Sequence, residues 1–475
     1  MALFCAIALL CAIGIPARAG TITVTNTNDS GPGSLRQALV DAQDGDTIAF
    51  DLSLPATISL TTSELVVNKN IVVAGPGANL LAVARANDAP TFRIFHVSPS
   101  HTVTIQGVTI SNGSGVGFNR GAGIWNDHSN RTVNNCVVTG NALDRQVDGG
   151  GIDNDAGGSG TASLTINNST IAANNLGAGI SVNFGGGVLN YGIHGNATLT
   201  INNSTISGNQ AFQGGGLFSN GGVTGSIASV TINNSTFSGN YADQFAGAIV
   251  NLADEGGQAT VTVTNSTFAG NSSCNCNSDA GAIFNDGNTQ PGGAVLEMAN
   301  TIFKGGLENP RNIDNQGGVV ISDGYNLTND AGVLNTNGGI GGFTGPGDQL
   351  NTDPILGPLQ DNGGPTFTHA LLKGSPAVNA GDPNFAPPPF FDQRGPGFDR
   401  VANGRIDVGS FEVQSGTTPT PTPTTTATAT PTAISTATAT ATPTTTATPT
   451  ATARPTPTPR LQPTPKPRPT PPPRP

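Results

Sequence analysis

Four nearly identical stretches decide the fold of this chain: LTINNSTIAANN at 164–175, LTINNSTISGN at 199–209, VTINNSTFSGN at 230–240 and VTVTNSTFAGN at 261–271. Their marker serines fall 35, 31 and 31 residues apart: Ser169, Ser204, Ser235 and Ser266. A glycine-rich element recurs between the copies, as in GGGVLN at 185–190 and GAIFN at 281–285. Each unit thus has three short extended pieces joined by Asn and Gly turns, which predicts an all-β, right-handed parallel β-helix.

Stacking these units in register places equivalent residues in columns that run along the helix axis at roughly 4.8 Å per coil. Two columns are entirely apolar, and we expect them to face the interior, because no single repeat could bury its own apolar face. The first column contains Val138, Ile171, Ile206, Phe237, Phe268 and Ile302. The second column contains Ile124, Ile152, Val188, Leu217, Ile249 and Ile283.

Two further columns consist of asparagine. One contains Asn135, Asn168, Asn203, Asn234 and Asn265, and the other contains Asn126, Asn154, Asn190, Asn251 and Asn285. Asparagine tolerates the left-handed backbone of tight turns, and stacked side-chain amides can donate to and accept from the next coil. We therefore predict asparagine ladders at these positions, and we prefer that role to N-glycosylation of the recurring NST sequons.

The amino terminus has the pattern of an export signal. An apolar run over 2–15 is followed by Pro16 and then by Ala17-Arg18-Ala19, so residues 1–19 are predicted to be a signal peptide. The apolar run is shorter than the roughly 20 residues that a bilayer span requires, which disfavours a membrane anchor. No later segment is apolar enough to span a membrane, and an extracellular or cell-surface location is expected.

The remaining boundaries follow changes in the repeat pattern. Residues 20–56 are predicted to form an N-terminal cap, because Ser34 opens a capping box before a short amphipathic helix with Leu35, Ala38, Leu39 and Ala42 on one face. The β-helix is predicted over 57–327, and the less repetitive segment 328–415 is predicted to be a C-terminal cap. Residues 416–475 are rich in Pro and Thr and are predicted to be disordered.

Composition restricts the expected partners. The formal net charge is −11, so nucleic acid and anionic membranes are not expected to bind, whereas such a surface could attract Ca²⁺. Loss of the signal peptide would remove Cys5 and Cys11. The three cysteines that stay indicate neither a disulfide framework nor a zinc site: Cys136, Cys274 and Cys276.

Three parts of the sequence resemble known families. The alternation of GAIVN and GAIFN with FSGN and FAGN, over about 103–306, resembles the repeats of chlamydial polymorphic outer membrane proteins. TITVTNTNDSGPGSLRQAL at 21–39 is similar to the CSLREA-type segment of environmental bacteria, with Gly33 where that family carries Cys. GPLQDNGGPTFTHALLKGSPAVNAGD at 357–382 resembles choice-of-anchor C-terminal domains. The resemblance implies an adhesin-like or scaffolding surface protein without catalysis, which contacts glycans or cell-envelope polymers.

The alternative is a Ca²⁺-dependent polysaccharide lyase that acts on acidic glycans, because pectin-degrading enzymes resemble this architecture. WNDH at 125–128 resembles the WIDH element of pectate lyases. That resemblance would make Asp127, Asp153 and Asp155 the Ca²⁺ ligands, with Arg131 or Arg145 as the proton-abstracting base. The RxPxxR element of those enzymes is missing, however, and these residues are also compatible with ordinary outward-facing positions on a repeat strand.

Other polar residues are weaker candidates. Four acidic residues of the C-terminal segment could bind Ca²⁺, but a turn-forming role is more common for such residues: Asp382, Asp392, Asp407 and Glu412. Four histidines share no spacing and are expected to be isolated loop or surface residues: His96, His101, His194 and His369.

Overall fold

The computed structural model describes residues 19–116, 120–144, 148–175, 183–274, 280–287, 293–306 and 311–415. The chain forms two units, Met1–Pro421 and Thr422–Pro475, and all described residues belong to the first unit. The predicted signal peptide except for its last residue, and the whole predicted tail, lie outside the described residues.

Three long parallel sheets dominate this unit. Within the described residues sheet A has twelve strands, in spatial order β1 (Thr21–Val24), β2 (Thr47–Phe50), β5 (Ile71–Ala74), β8 (Thr102–Gln106), β12 (Asn130–Asn134), β16 (Thr161–Asn167), β19 (Asn196–Asn202), β23 (Ile227–Asn233), β27 (Gln258–Thr264), β31 (Ala294–Ala299), β34 (Val319–Gly324) and β37 (Ile340–Gly341).

Sheets B and C show ten strands each over the same described ranges. Sheet B contains β3 (Ala56–Leu60), β6 (Leu81–Arg85), β9 (Thr109–Ser111), β13 (Val137–Thr139), β17 (Thr170–Ala172), β20 (Thr205–Ser207), β24 (Thr236–Ser238), β28 (Thr267–Ala269), β32 (Ile302–Lys304) and β35 (Leu327–Thr328). Sheet C contains β4 (Leu65–Val67), β7 (Phe95–Val97), β11 (Ile124–Asp127), β15 (Ile152–Asp155), β18 (Val188–Tyr191), β22 (Leu217–Asn220), β26 (Ile249–Leu252), β30 (Ile283–Asp286), β33 (Ile313–Gln316) and β36 (Val333–Thr336).

The smaller elements lie outside these sheets. They are the helix α1 (Leu35–Asp41), the parallel pair β10 (Ser114–Val116) and β14 (Ala142–Asp144), the parallel set β21 (Gln210–Gln213), β25 (Tyr241–Gln244) and β29 (Ser272–Ser273), and the antiparallel pair β38 (Leu356–Gln360) and β39 (Thr368–Leu371). The helix begins after Ser34, whose side chain accepts the N–H of Gln37 at 3.2 Å, and it buries Leu35, Ala38 and Leu39.

Each full coil contributes one strand to each long sheet, and each strand pairs in parallel with its equivalent in the next coil. The repeats align as the sequence predicts: Leu164 of β16 pairs with Leu199 of β19, which pairs with Val230 of β23. This architecture is a parallel β-helix, and the fold predicted from the repeats is confirmed. Its core consists of inward-facing columns that each coil covers for its neighbours.

The predicted interior columns need one correction. The column through Phe237 and Phe268 continues to Phe303, and not to Ile302 as the sequence predicted. The alternation of faces explains the difference, because Ile302 aligns with the outward-facing Thr267 and packs against the C-terminal segment instead. The three phenylalanine rings stack at centroid distances of 4.9 and 5.1 Å.

Both asparagine columns form hydrogen-bonded stacks, but only the first lies at turns, because the column through Asn126 runs inside the strands of sheet C. Asn168, Asn203, Asn234 and Asn265 have φ between +47° and +53°, the left-handed backbone that favours this residue. In the other predicted column the Asn126 Nδ2 donates to Asn154 Oδ1 at 2.7 Å. The column continues through Asn190, and Ser219 replaces the amide in the next coil before Asn251.

A third asparagine ladder was not predicted. It follows sheet B, it is buried, and its successive side-chain amides are linked at 2.9–3.0 Å: Asn141, Asn174, Asn209, Asn240 and Asn271. The same amides also satisfy backbone groups, since the Asn209 Nδ2 donates to the Ile171 carbonyl at 2.9 Å. This ladder therefore satisfies buried backbone groups that would otherwise lack a hydrogen-bond partner.

The C-terminal boundary differs from the predicted one. Strands β36 and β37 continue sheets C and A beyond residue 327, so the coils extend into the segment that was predicted to be a cap. Residues 354–415 then pack along the outer side of sheet B, where Thr205 donates to the Phe367 carbonyl at 2.6 Å and Ser238 lies 2.9 Å from His369 Nε2. No helix among the described residues is long and apolar enough to cross a membrane.

We expect the third ladder to stabilise the coils measurably. Replacing Asn209 by Ala removes the acceptor of the Asn174 backbone and side-chain N–H groups and the donor to the Ile171 carbonyl, at a cost of about 1–3 kcal/mol for each buried group left unsatisfied. Urea denaturation of N209A should therefore show a lower midpoint than the unchanged protein. The control N196A changes an exposed residue of β19 and should stay within about 0.5 kcal/mol. Equal midpoints for the two variants would contradict a structural role for the ladder.

Candidate functional site

The predicted calcium ligands lie together on the outer face of sheet C. Strand register places Trp125 next to Asp153 and Asp127 next to Asp155, one coil apart in each case. His96 of β7 occupies the preceding coil beside Trp125, and their rings stack at 4.2 Å. The chain has a single Trp and only five His, so this face concentrates its rarest polar and aromatic residues. We call these five residues with Glu64, Arg93, Arg120 and His128 the Trp125 cluster.

His128 has the shortest contacts of the histidines in this cluster, and both of its ring nitrogens have a partner. His128 Nδ1 lies 2.5 Å from Asp127, and its Nε2 lies 2.7 Å from the Gly157 carbonyl. Burial favours the neutral ring, but the hydrogen bonds to Asp127 and Gly157 outweigh it and raise the pKa of His128. Both ring nitrogens thus face acceptor oxygens, an arrangement that favours the protonated ring and opposes a role as general base.

The remaining charged groups of the Trp125 cluster pair with one another. Asp155 accepts from Arg120 at 3.0 Å, and it also lies 3.4 Å from the Trp125 indole nitrogen. Glu64 binds Arg93 at 2.9 Å, and Arg93 in turn covers the Trp125 ring at 4.5 Å. These contacts fix the side chains in place and neutralise most of the local charge.

Asp153 is the exception in this network. Its side chain is fully buried, and neither carboxyl oxygen has a hydrogen-bond partner in the described residues. Burial, followed by the nearby Asp155 carboxylate, raises the pKa of Asp153 well above its usual range. Burial likewise raises the pKa of neighbouring Asp148 to about 6. Burial thus disfavours the ionised form of Asp153, which is the form in which a carboxylate binds Ca²⁺.

The calcium site predicted at Asp127, Asp153 and Asp155 stays a prediction. No group of three or more His, Cys, Asp or Glu suited to a metal ion occurs among the described residues. Asp127 and Asp155 each use one carboxylate oxygen for a contact with His128 or Arg120.

Arg131 cannot be the base of a lyase, and this candidate is corrected. It lies on β12 between Val103 and Leu164, in an inward-facing column, and it is fully buried. All three guanidinium nitrogens lack a hydrogen-bond partner in the described part of the chain. Burial lowers the pKa of Arg131 to about 9. A glycan on the outer surface could not reach it, whereas Arg145, the other candidate base, lies outside the described residues.

The acidic residues of the C-terminal segment have structural partners. Asp392 pairs with Arg394 at 2.5 Å, and Asp407 accepts backbone N–H groups of Asn379 and Val413. Burial, followed by the Asp407 carboxylate, raises the pKa of Glu412 to about 8. Asp382 accepts the N–H of Asn384 at 2.9 Å, which is the turn-forming role expected from the sequence.

A long groove, which was not predicted from the sequence, lies along the asparagine turns. We call it the asparagine groove. It has a volume of about 790 Å³, and its floor follows the asparagine turns between sheets A and B. The floor contains Asn134, Asn135, Asn167, Asn168, Asn202, Asn203, Asn233, Asn234, Thr264, Asn265, Ala299 and Asn300. The opposite wall belongs to the C-terminal segment and contains Asp382, Phe385, Pro388, Pro389 and Ile406. Repeat periodicity predicted the floor, but the wall depends on how the C-terminal segment folds back.

Comparison with known proteins adds little beyond the fold. The chain matches no protein-family model, and no curated protein matches it. The crystal structure of pectate lyase Pel9A aligns with 83% of this chain and 96% of its own, at 14% identity and a TM-score of 0.41. A likeness this distant carries no argument about activity.

We expect Arg131→Leu to stabilise the protein. The substitution removes a buried charge without partners and matches the apolar column, for a gain of about 1–4 kcal/mol in unfolding free energy. Because the pKa of Arg131 is lowered in the folded state, the penalty is complete below about pH 9 and shrinks as pH rises through that value. The advantage of R131L over the unchanged protein should therefore decline above pH 9 in thermal unfolding.

Arg85→Leu provides the matched control for this experiment. Arg85 donates to the carbonyls of Asn112, Ala86 and Ala89, so R85L should lower the melting temperature. A lower melting temperature for R131L as well would show that the Arg131 charge is satisfied and would contradict its placement.

Proposed function

We propose that this chain is a secreted or surface-displayed β-helix protein that binds a linear glycan along the asparagine groove without cleaving it. The observation that carries the proposal is the groove itself, an open channel with an amide floor and an apolar wall. It supports the adhesin-like role predicted from the sequence, with glycans or cell-envelope polymers as partners.

The dimensions of the groove favour a polymer. Its floor runs from the turn after β12 to the turn after β31, which are six consecutive strands of sheet A. Five strand spacings of about 4.8 Å give a length of roughly 24 Å, enough for several sugar units in a row. A small compact ligand would leave most of this length empty.

The chemistry of the groove favours a neutral glycan. The floor amides of Asn134, Asn167 and Asn202 bond to one another at 2.8–2.9 Å, and the second N–H and second lone pair of each can bond sugar hydroxyls in either orientation. Phe385, Pro388 and Pro389 offer apolar contacts for the C–H faces of sugar rings. Among the described residues that line the groove, Asp382 is the one ionisable side chain, and none is a cation that could bind a uronate.

The Trp125 cluster supports a role without catalysis. His128 has no free nitrogen, Asp155 is bound by Arg120, and Asp153 is buried. The lyase alternative would need a free base on the outer face of sheet C, and Arg131 does not provide it. Of the two bases predicted from the sequence, Arg145 is the one left, and it lies outside the described residues.

Calorimetric titration with soluble neutral β-glycans tests the proposal, with polygalacturonate as the acidic comparison. We expect Phe385→Ala to weaken binding about tenfold or more, which corresponds to about 1.4 kcal/mol. Phe367→Ala is the matched control, since Phe367 is 52% exposed in the same segment and does not line the groove. The glycan should keep its chain length during incubation.

Two results would overturn the proposal. One is equal affinity of F385A and the unchanged protein, which would place the binding elsewhere. The other is the release of shortened or unsaturated products from any of these glycans, which would identify an enzyme.

A further inference from the structure

The outer side of sheet A carries a second regular surface, separate from the Trp125 cluster. Six adjacent strands, β8, β12, β16, β19, β23 and β27, pair in register without a shift. One outward column contains Thr102, Asn130, Ser163, Thr198, Ser229 and Thr260. The next contains Thr104, Thr132, Thr165, Thr200, Thr231 and Thr262. We call these two columns the hydroxyl face, because eleven of the twelve residues are Ser or Thr.

The geometry of the hydroxyl face is a two-dimensional lattice. Neighbouring strands repeat at about 4.8 Å, and residues i and i+2 of one strand repeat at roughly 6.6 Å. The residues between the columns, such as Leu164, Leu199 and Val230, are buried and hold this spacing from within. β-Branched threonine has few rotamers, which keeps the hydroxyls and methyl groups in repeating positions.

The face is also exposed and uncharged. Every residue in the two columns is exposed or partly exposed. None of the twelve is ionisable, although the chain as a whole carries a net charge of −11. Within the described residues, Thr262 alone uses its hydroxyl for a side-chain bond, to Glu297 at 3.4 Å. The other hydroxyls are available to a partner.

We propose that the hydroxyl face binds ice. A rigid array with two fixed repeats suits a partner that is itself periodic and hydrogen-bonding, and the surface of an ice crystal is both. Threonine hydroxyls donate and accept, so they can join a water lattice in either sense, while their methyl groups occupy the gaps between lattice waters. The absence of charge is complementary to a neutral crystal surface, because ionic side chains would keep their own hydration shells.

This inference does not depend on the proposed glycan function. The asparagine groove lies beyond the ends of the same strands, at the turns between sheets A and B, and shares no residue with the two columns. A variant of one surface should therefore leave the other function unchanged.

The test uses the full chain in thermal-hysteresis and ice-recrystallisation assays. We expect the unchanged protein to depress the freezing point non-colligatively and to slow recrystallisation. Thr200→Lys and Thr231→Lys, made separately, place a bulky hydrated charge in the middle of the face and should each abolish both effects. Circular dichroism checks that each variant is folded, and a folded member of the pair is sufficient for the test.

Matched controls locate the effect. Val40→Lys introduces the same side chain on α1, where Val40 is 69% exposed, and should keep full activity. F385A should also keep it. Absence of hysteresis and of recrystallisation inhibition in the folded, unchanged protein overturns the inference. So does full activity of a folded T200K or T231K, or binding of the unchanged protein to crystalline cellulose or chitin without any effect on ice.

Discussion

In-register stacking of parallel coils is the constraint on which the rest of this structure depends. A single coil has an apolar side that it cannot bury, and it becomes stable when the next coil covers that side. Once the interior column of Ile152, Val188 and Leu217 is aligned, every other position of the repeat is aligned with it. The amide ladders, the asparagine groove and the hydroxyl face are consequences of this one alignment.

In-register stacking also determines which buried polar groups find hydrogen-bond partners and which do not. The amides of Asn174, Asn209 and Asn240 are satisfied because each finds an identical partner in the next coil. Arg131 and Asp153 interrupt their columns, and neither has a matching polar neighbour there. A burial cost without compensation is expected at both positions.

The C-terminal segment turns a regular solenoid into one with a distinct groove. The Gln393 side chain bonds to both the coils and the segment, with Thr205 at 2.9 Å and Thr366 at 3.0 Å, and buried Arg400 donates to Asn265 at 3.1 Å. These polar contacts attach the segment to the turns, and the wall residue Phe385 then faces the asparagine floor. A repeat protein without such a segment would expose its turns as a convex edge.

The periodic features of the fold could be predicted from the sequence, whereas features outside the repeat pattern could not. The spacing of the repeats alone aligns Asp127 with Asp155, and the strand register is the same. Alignment by side-chain type alone assigned Ile302 to the interior column in place of Phe303. Both adjacent residues are apolar, and they differ only in the side of the strand on which each lies. The ladder through Asn209 was missed because its residues end short Gly-rich turns and look like ordinary loop residues. Arg131 was placed outside by the general rule that charges are exposed.

The groove could not be predicted, since its wall depends on contacts between residues more than 150 positions apart, such as Thr205 and Phe367. The segment that supplies the wall has no repeat from which its position could be derived. The chemistry of the Trp125 cluster could likewise be predicted only in part. Residue spacing shows which carboxylates are adjacent, but it does not show which of them already pair with a cationic side chain.

Pulsed electron paramagnetic resonance between nitroxide labels at Thr104→Cys and Thr262→Cys tests the stacking most directly. The two positions lie in one column, five strands apart, and the backbone separation should be about 24 Å with a narrow distribution. A second pair, with the label at Thr165 in place of Thr104, should show a distance that is shorter in proportion to the number of coils. A broad distribution, or a distance that does not scale in this way, would contradict the in-register β-helix.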